Sequence, residues 1–319
     1  MSRWFAPSVA ALVLALAAPA WAAEMAYVPN AGSGTISVID TSSDTVVRTL
    51  AGSGSLGKKL EGDVVDPTGH VVLVVDAPSN SVVAVDAQTG QVVKSIATDK
   101  APEGIGISAD GRMAAACSED SNTVVLIDVA QLKRMQSIPV QGKNPEHCVF
   151  SPRGRWLLVS DENSSTVDVI DLQRRKSVAL LPSGKHPRGM AVTPDGKYLY
   201  VADEEANSVQ VVAIGSWKLV TTIPTALRSA GVLASPDGKH VYIANGGAGT
   251  VSVIDTATYK VTASIPVGQR PWNMAITSDG RKLYVANGRT GNVSVIDTAA
   301  NRVIATVPVG KLPWGVAIR

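Results

Sequence analysis

The sequence predicts an all-β chain folded as a seven-bladed β-propeller, with four antiparallel strands per blade and the ring closed by the C-terminal strand. Three observations lead there. First, Asn30, Asp76, Ser118, Asp161, Asp203, Asn245 and Asn287 each end a short apolar run. Ten residues later Asp40, Asp86, Asp128, Asp171, Ala213, Asp255 and Asp297 end another. Intervals in the second series are 46, 42, 43, 42, 42 and 42 residues, and a fixed period of about 40 residues marks propeller blades. Second, each interval holds four short β-branched runs bounded by turn residues, the pattern of strands joined by hairpins. Third, the unit that opens at Met25 starts on a second strand, while Pro313-Trp-Gly-Val-Ala-Ile-Arg319 has the pattern of a first strand. The last strand is therefore expected to complete the first blade and hide its edge.

Taken in order, residues 1–22 read as a signal peptide. Arg3 supplies the positive start, Val9 to Ala18 the apolar stretch, and Ala20-Trp21-Ala22 the small-residue cleavage site,. That apolar stretch is too short for a membrane span, so residues 23–319 are expected to form a single exported domain with no integral membrane segment. Each later blade opens on a first strand such as Trp272-Asn-Met-Ala-Ile-Thr, followed by a turn such as Ser278-Asp-Gly-Arg. Gly69, Gly111, Gly154, Gly196, Gly238 and Gly280 recur in these turns and supply the positive φ they need. A second strand (Lys282-Leu-Tyr-Val-Ala-Asn) and a third (Gly291-Asn-Val-Ser-Val-Ile-Asp) follow, and Arg302 to Gly310 forms the fourth. The aspartates ending third strands are expected to start the next turn by accepting local backbone amides. The extra residues of the first interval lie in Gly52-Ser-Gly-Ser-Leu-Gly57, a flexible loop.

Composition narrows the function classes. The chain carries 29 basic and 27 acidic residues, and loss of Arg3 with the leader leaves 28 against 27. The one basic run, Arg174-Arg175-Lys176, has no interleaved aromatics, so nucleic acid is not an expected partner. Two cysteines, Cys117 and Cys148, cannot make a disulfide scaffold,. They read either as one cross-blade disulfide or as two buried thiols. A bacterial periplasm is the expected compartment.

Leu199-Tyr-Val-Ala-Asp203, Val241-Tyr-Ile-Ala-Asn245 and Leu283-Tyr-Val-Ala-Asn287, with Pro-Asp-Gly-Lys turns at 194–197 and 236–239, resemble the YVTN-type β-propeller family. A narrower likeness is to the propeller proteins associated with pyrroloquinoline-quinone-dependent catabolism. It rests on size, the export signal, the corners Asn144-Pro-Glu and Arg270-Pro-Trp, and the ending Val309-Gly-Lys-Leu-Pro-Trp-Gly-Val. That likeness implies a setting in quinoprotein-dependent oxidation.

Aligning the repeats puts one residue per blade at the entry to the first strand: Glu61, Glu103, Glu146, Arg188, Ala230, Trp272 and Trp314. These are expected to ring one mouth of the central channel. One arc is carboxylate-rich; the facing arc carries tryptophans with Arg228 and Arg270 nearby. This asymmetry suits a ligand with an apolar ring and some charge, or a protein partner. His147, Cys148 and His186 lie beside these glutamates and form a candidate copper or zinc set, although neighbours on a strand point to opposite faces. No nucleophile elbow, zinc-protease motif, P-loop or dinucleotide fingerprint occurs,. The expectation is a non-catalytic periplasmic propeller that binds a protein partner or small ligand through Glu61, Glu103, Glu146, Arg188, Arg228, Arg270, Trp272 and Trp314. The alternative is a metal- or cofactor-dependent enzyme, a lactonase-like hydrolase or an oxidoreductase subunit, using His147, His186 and the nearby glutamates.

Overall fold

A computed structural model describes Met1 and residues 24–319. The proposed signal peptide lies outside the described residues, apart from Met1. Seven four-stranded sheets succeed one another along the chain. In each, consecutive strands pair antiparallel, as in β4 (Leu60–Val65), β5 (Val71–Asp76), β6 (Ser81–Asp86) and β7 (Val92–Ala97) of the second blade. The innermost strands touch one another around a common axis: β4, β8 (Pro102–Ile107), β12 (Pro145–Phe150), β16 (Pro187–Val192), β20 (Ser229–Ala234), β24 (Pro271–Ile276) and β28 (Ala317–Ile318).

Closure takes the predicted form. Strand β28 pairs with β1 (Met25–Asn30) through Ala26 opposite Ile318 and Tyr27 opposite Ala317. The Met25 and Arg319 backbones exchange hydrogen bonds of 2.7 and 3.0 Å, and Trp314 N donates to Pro29 O at 2.9 Å. The edge of the first sheet is thereby satisfied by the other end of the described chain.

The repeating polar residues have local causes. Asn287 Nδ2 donates to Asn292 Oδ1 at 2.8 Å and to Ser294 Oγ at 2.9 Å, tying second strand to third; Asn30 and Asn245 do the same in their blades. The strand-ending aspartates work as expected: Asp297 Oδ1 accepts from Ala299 N at 3.0 Å and Ala300 N at 2.9 Å. In the other hairpin turn Asp195 Oδ1 accepts from Thr193 Oγ1 at 2.7 Å and Lys197 N at 3.0 Å, while Gly196 takes φ +74°, a conformation that disfavours a Cβ. The core is distributed between blades. Tyr27, Ile36 and Val38 of the first blade pack on Val72, Val74, Val83 and Val85 of the second, and similar layers follow around the ring. Among the described residues no helix is long and apolar enough to cross a membrane.

Candidate functional site at the channel mouth

Two successive positions of the innermost strands shape the mouth. The first is the predicted ring. The next residue in each blade is Gly62, Gly104, His147, Gly189, Gly231, Asn273 or Gly315. A Cβ on Gly104, Gly189 or Gly231 would collide with the neighbouring blade's backbone carbonyl oxygen. Glycine therefore lets the strands close on the axis, and only His147 and Asn273 place a side chain at this level. Gly231→Ala is expected to lower stability by about 1–3 kcal/mol through overpacking; calorimetry on the full ring would show it as a lowered melting temperature.

Below the mouth His147 stacks on Trp314 across the channel, ring centroids 5.5 Å apart and planes 27° from parallel. Trp314 is only 8% exposed. The pair leaves a cavity of about 10 Å3 lined by His147, Arg188, Ala230, Trp272, Asn273 and Trp314. That volume is enough for one water.

Above this pair Arg188 is the electrostatic hub. Its Nη2 meets Glu103 Oε1 at 3.1 Å and also contacts Glu146; its Nη1 meets Glu204 Oε2 at 3.0 Å and Glu162 Oε1 at 3.6 Å. Glu204, fully buried, also accepts from Arg228 Nε at 2.7 Å and lies 3.0 Å from Arg270 Nη2. Arg270 reaches back over Trp272 at 5.8 Å, a cation–π contact. His186 pairs with Glu162, and Lys59 with Glu61.

One guanidinium cannot neutralise four carboxylates, so protons make up the difference. Burial and the Glu103 charge push Glu61 up to about 7. Burial and Glu103 likewise push Glu119 up to about 8. Glu146 is raised well above the carboxylate range by burial, with Glu103 and Glu162 adding to it and Arg188 opposing. Burial also works to raise Glu103, but Arg188 and hydrogen bonds with Glu146 and Glu119 outweigh it and keep it charged. Glu204 is pulled down to about 2: Arg188, Arg228 and Arg270 overcome its burial. His147 falls to about 4 because it is buried and faces Arg188. At neutral pH the mouth therefore holds a neutral imidazole, protonated glutamates and a permanently charged guanidinium within one cluster.

Every residue of the predicted ring lies at the mouth, with Arg228 and Arg270 at its rim. The candidate metal set does not assemble as a trio. His147 lies with Glu103 and Glu146, and His186 with Glu162 and Glu204, in two separate groups. Cys148 belongs to neither: strand alternation turns it into the apolar layer beside Cys117, where its Sγ donates to Ala115 O at 3.1 Å. Both cysteines are free and buried, and burial pushes the Cys117 thiol up. Glu119, Glu162 and Glu204, which follow second strands, belong to the same cluster. Glu204 is the residue that joins the acidic arc to the arginines, and its signal was its position just after a second strand, level with three arginines at successive blade corners.

A family model described as Lactonase, 7-bladed beta-propeller, matches residues 86–181 and 171–303. No curated protein matches the sequence. Hydrazine synthase of Kuenenia stuttgartiensis shares 23% identity with a TM-score of 0.73, over 81% of this chain and 89% of that one. A functionally unknown protein from Desulfotomaculum acetoxidans DSM 771 is 18% identical with a TM-score of 0.79, over 92% and 98% of the two chains. Dihydro-heme d1 dehydrogenase NirN in complex with DHE is 19% identical with a TM-score of 0.66, covering 89% of this chain and 63% of that one. At these identities the likeness to solved structures is one of fold.

Proposed function

The chain belongs to the seven-bladed β-propeller lactonase family, and from that premise we propose that its channel mouth binds a small cyclic ester and hydrolyses it. The observation that carries this reading is the water-sized cavity walled by His147, Arg188 and Asn273. A water held there has the two to four polar partners that a buried water requires.

The chemistry follows from the charge states. A lactone lying over Trp272 presents its carbonyl to the Arg188 guanidinium, which stabilises negative charge developing on oxygen. The water oxygen adds to the carbonyl carbon and its proton passes to His147, neutral at pH 7 because its pKa lies near 4,. Collapse breaks the ring C–O bond, and the departing alkoxide recovers the proton from the imidazolium, which returns His147 to its neutral form. The products are a hydroxy acid and the free enzyme. A base three units below neutrality gives little driving force, so the substrate must be intrinsically electrophilic. Strained cyclic esters are, and amides are not.

A second reading keeps the propeller non-catalytic, docking a protein partner in a periplasmic quinoprotein oxidation system. It draws on the mouth rim, where Leu227 is 55% and Leu312 is 45% exposed. Proton release from a panel of five- and six-membered lactones, followed at constant pH, separates the two. Turnover of a member of the panel, lost in Asn273→Ala, supports hydrolysis. No turnover across the panel sinks it and leaves the docking reading, whose own test is loss of partner capture in Leu227→Asp.

A further inference from the structure

Blades six and seven carry a second feature on the mouth face that lactone hydrolysis does not use. The loop after each second strand is acidic in the middle blades: Glu119-Asp120, Glu162 and Glu204-Glu205. In the sixth blade the same loop is Gly246-Gly247-Ala248-Gly249, and in the seventh it carries Arg289. Together with Gln269 and the corner residues Arg228 and Arg270, these loops enclose a notch of about 290 Å3. The absence of side chains in this loop leaves the notch open. A Cβ on Gly246 would come within 2.9 Å of Arg270 Nη1, and one on Gly247 within 2.8 Å of Leu227 Cγ, so larger residues would fill or distort the notch.

The charge in it is unbalanced. Three arginines line the notch, and the carboxylate that reaches two of them, Arg228 and Arg270, is Glu204, itself shared with Arg188. Arg228 donates to Glu204 through its Nε, and among the described residues exposed Arg289 forms no ion pair. Guanidiniums are planar fork donors and suit an oxyanion, which accepts bidentate hydrogen bonds from them.

We propose that Arg228, Arg270 and Arg289 form a binding site for a small oxyanion, a carboxylate or a phosphate, distinct from the His147 cavity. Its occupant shares Arg228 and Arg270 with Glu204. Neutralising Glu204 therefore strengthens binding rather than weakening it, which a purely structural salt-bridge network would not do.

The test is isothermal titration of the described chain, residues 24–319, with inorganic phosphate and separately with succinate, at low and at physiological salt. Saturable binding of either anion, weakened about tenfold in Arg289→Ala for the loss of one charge-assisted contact and tightened in Glu204→Gln, is expected. The anion that saturates identifies the source. Binding that persists unchanged in Arg289→Ala and Arg228→Ala, or the absence of saturable binding by both anions, overturns the proposal. Turnover of an uncharged lactone is followed in the same Arg289→Ala protein. The notch takes no part in that reaction, so the rate is expected to stay at the wild-type value, and a failed hydrolysis reading and a failed notch are told apart.

Discussion

Replacing Arg188 with methionine is expected to destabilise the protein by about 3–5 kcal/mol near pH 8, the cost of leaving buried charges without their partner. Glu103 and Glu204 stay charged and Glu204 is fully buried, so water cannot take over the role of the guanidinium. The loss should shrink as pH falls. Glu61 and Glu119 have folded pKa values of about 7 and about 8, raised above their ordinary 4.5. The folded state thus holds protons that the unfolded state releases between pH 4.5 and 8. Stability falls as pH rises through that window, in the wild type and more steeply in the variant. Glu204 works in the opposite direction, since its depressed value stabilises the fold above the ordinary carboxylate pKa and that contribution is lost only in strong acid. Urea titrations at pH 5 and pH 8 provide the measurement. Arg228→Ala is the control: half-exposed on the rim, with a 2.7 Å bond to Glu204, it is expected to cost about 1 kcal/mol or less. Equal losses for the two variants, or a loss for Arg188→Met independent of pH, would remove Arg188 from the centre of this site.

The ring itself was legible in the sequence because its causes are periodic. The turn glycines recur six times, and the residues that end strands and those that enter the inner strands recur once in each blade, so spacing alone places them. The mouth was half legible for the same reason. The period puts Glu61, Glu103, Glu146, Arg188, Trp272 and Trp314 in one circle, but it does not say which of them meet across the axis. The His147–Trp314 stack joins residues far apart in the chain, on blades that are not neighbours in the ring. The Glu204 hub depends on which way three arginine side chains lean. The glycines at the level of His147 read as ordinary strand residues until the closeness of the neighbouring carbonyls is known. For Cys148 the warning was present in the sequence: strand alternation separates it from His147, and the apolar layer beside Cys117 is where it lies.

Substituting His147 with alanine is expected to reduce kcat/KM for lactone hydrolysis by about 100- to 10,000-fold, the range a positioned general base contributes. The pH profile distinguishes this role from packing. A base whose pKa is about 4 stays unprotonated through the neutral range, so the acid limb of wild-type kcat/KM should lie far below the usual histidine value. An alkaline limb should appear above pH 7, where Glu61 and then Glu119, at about 7 and about 8, lose their protons. The added negative charge then draws Arg188 away from the substrate carbonyl. In His147→Ala the acid limb should vanish while the alkaline one remains, because the glutamates and Arg188 are still in place. His147→Phe refines the test. It keeps a ring against Trp314, and so retains most of the about 0.5–1.5 kcal/mol that an aromatic pair contributes, but it offers the water no acceptor. If the phenylalanine variant is as stable as the wild type yet as slow as the alanine variant, His147 acts on the water. If it restores the rate, His147 serves only to pack against Trp314, and the base must be sought among the glutamates above it.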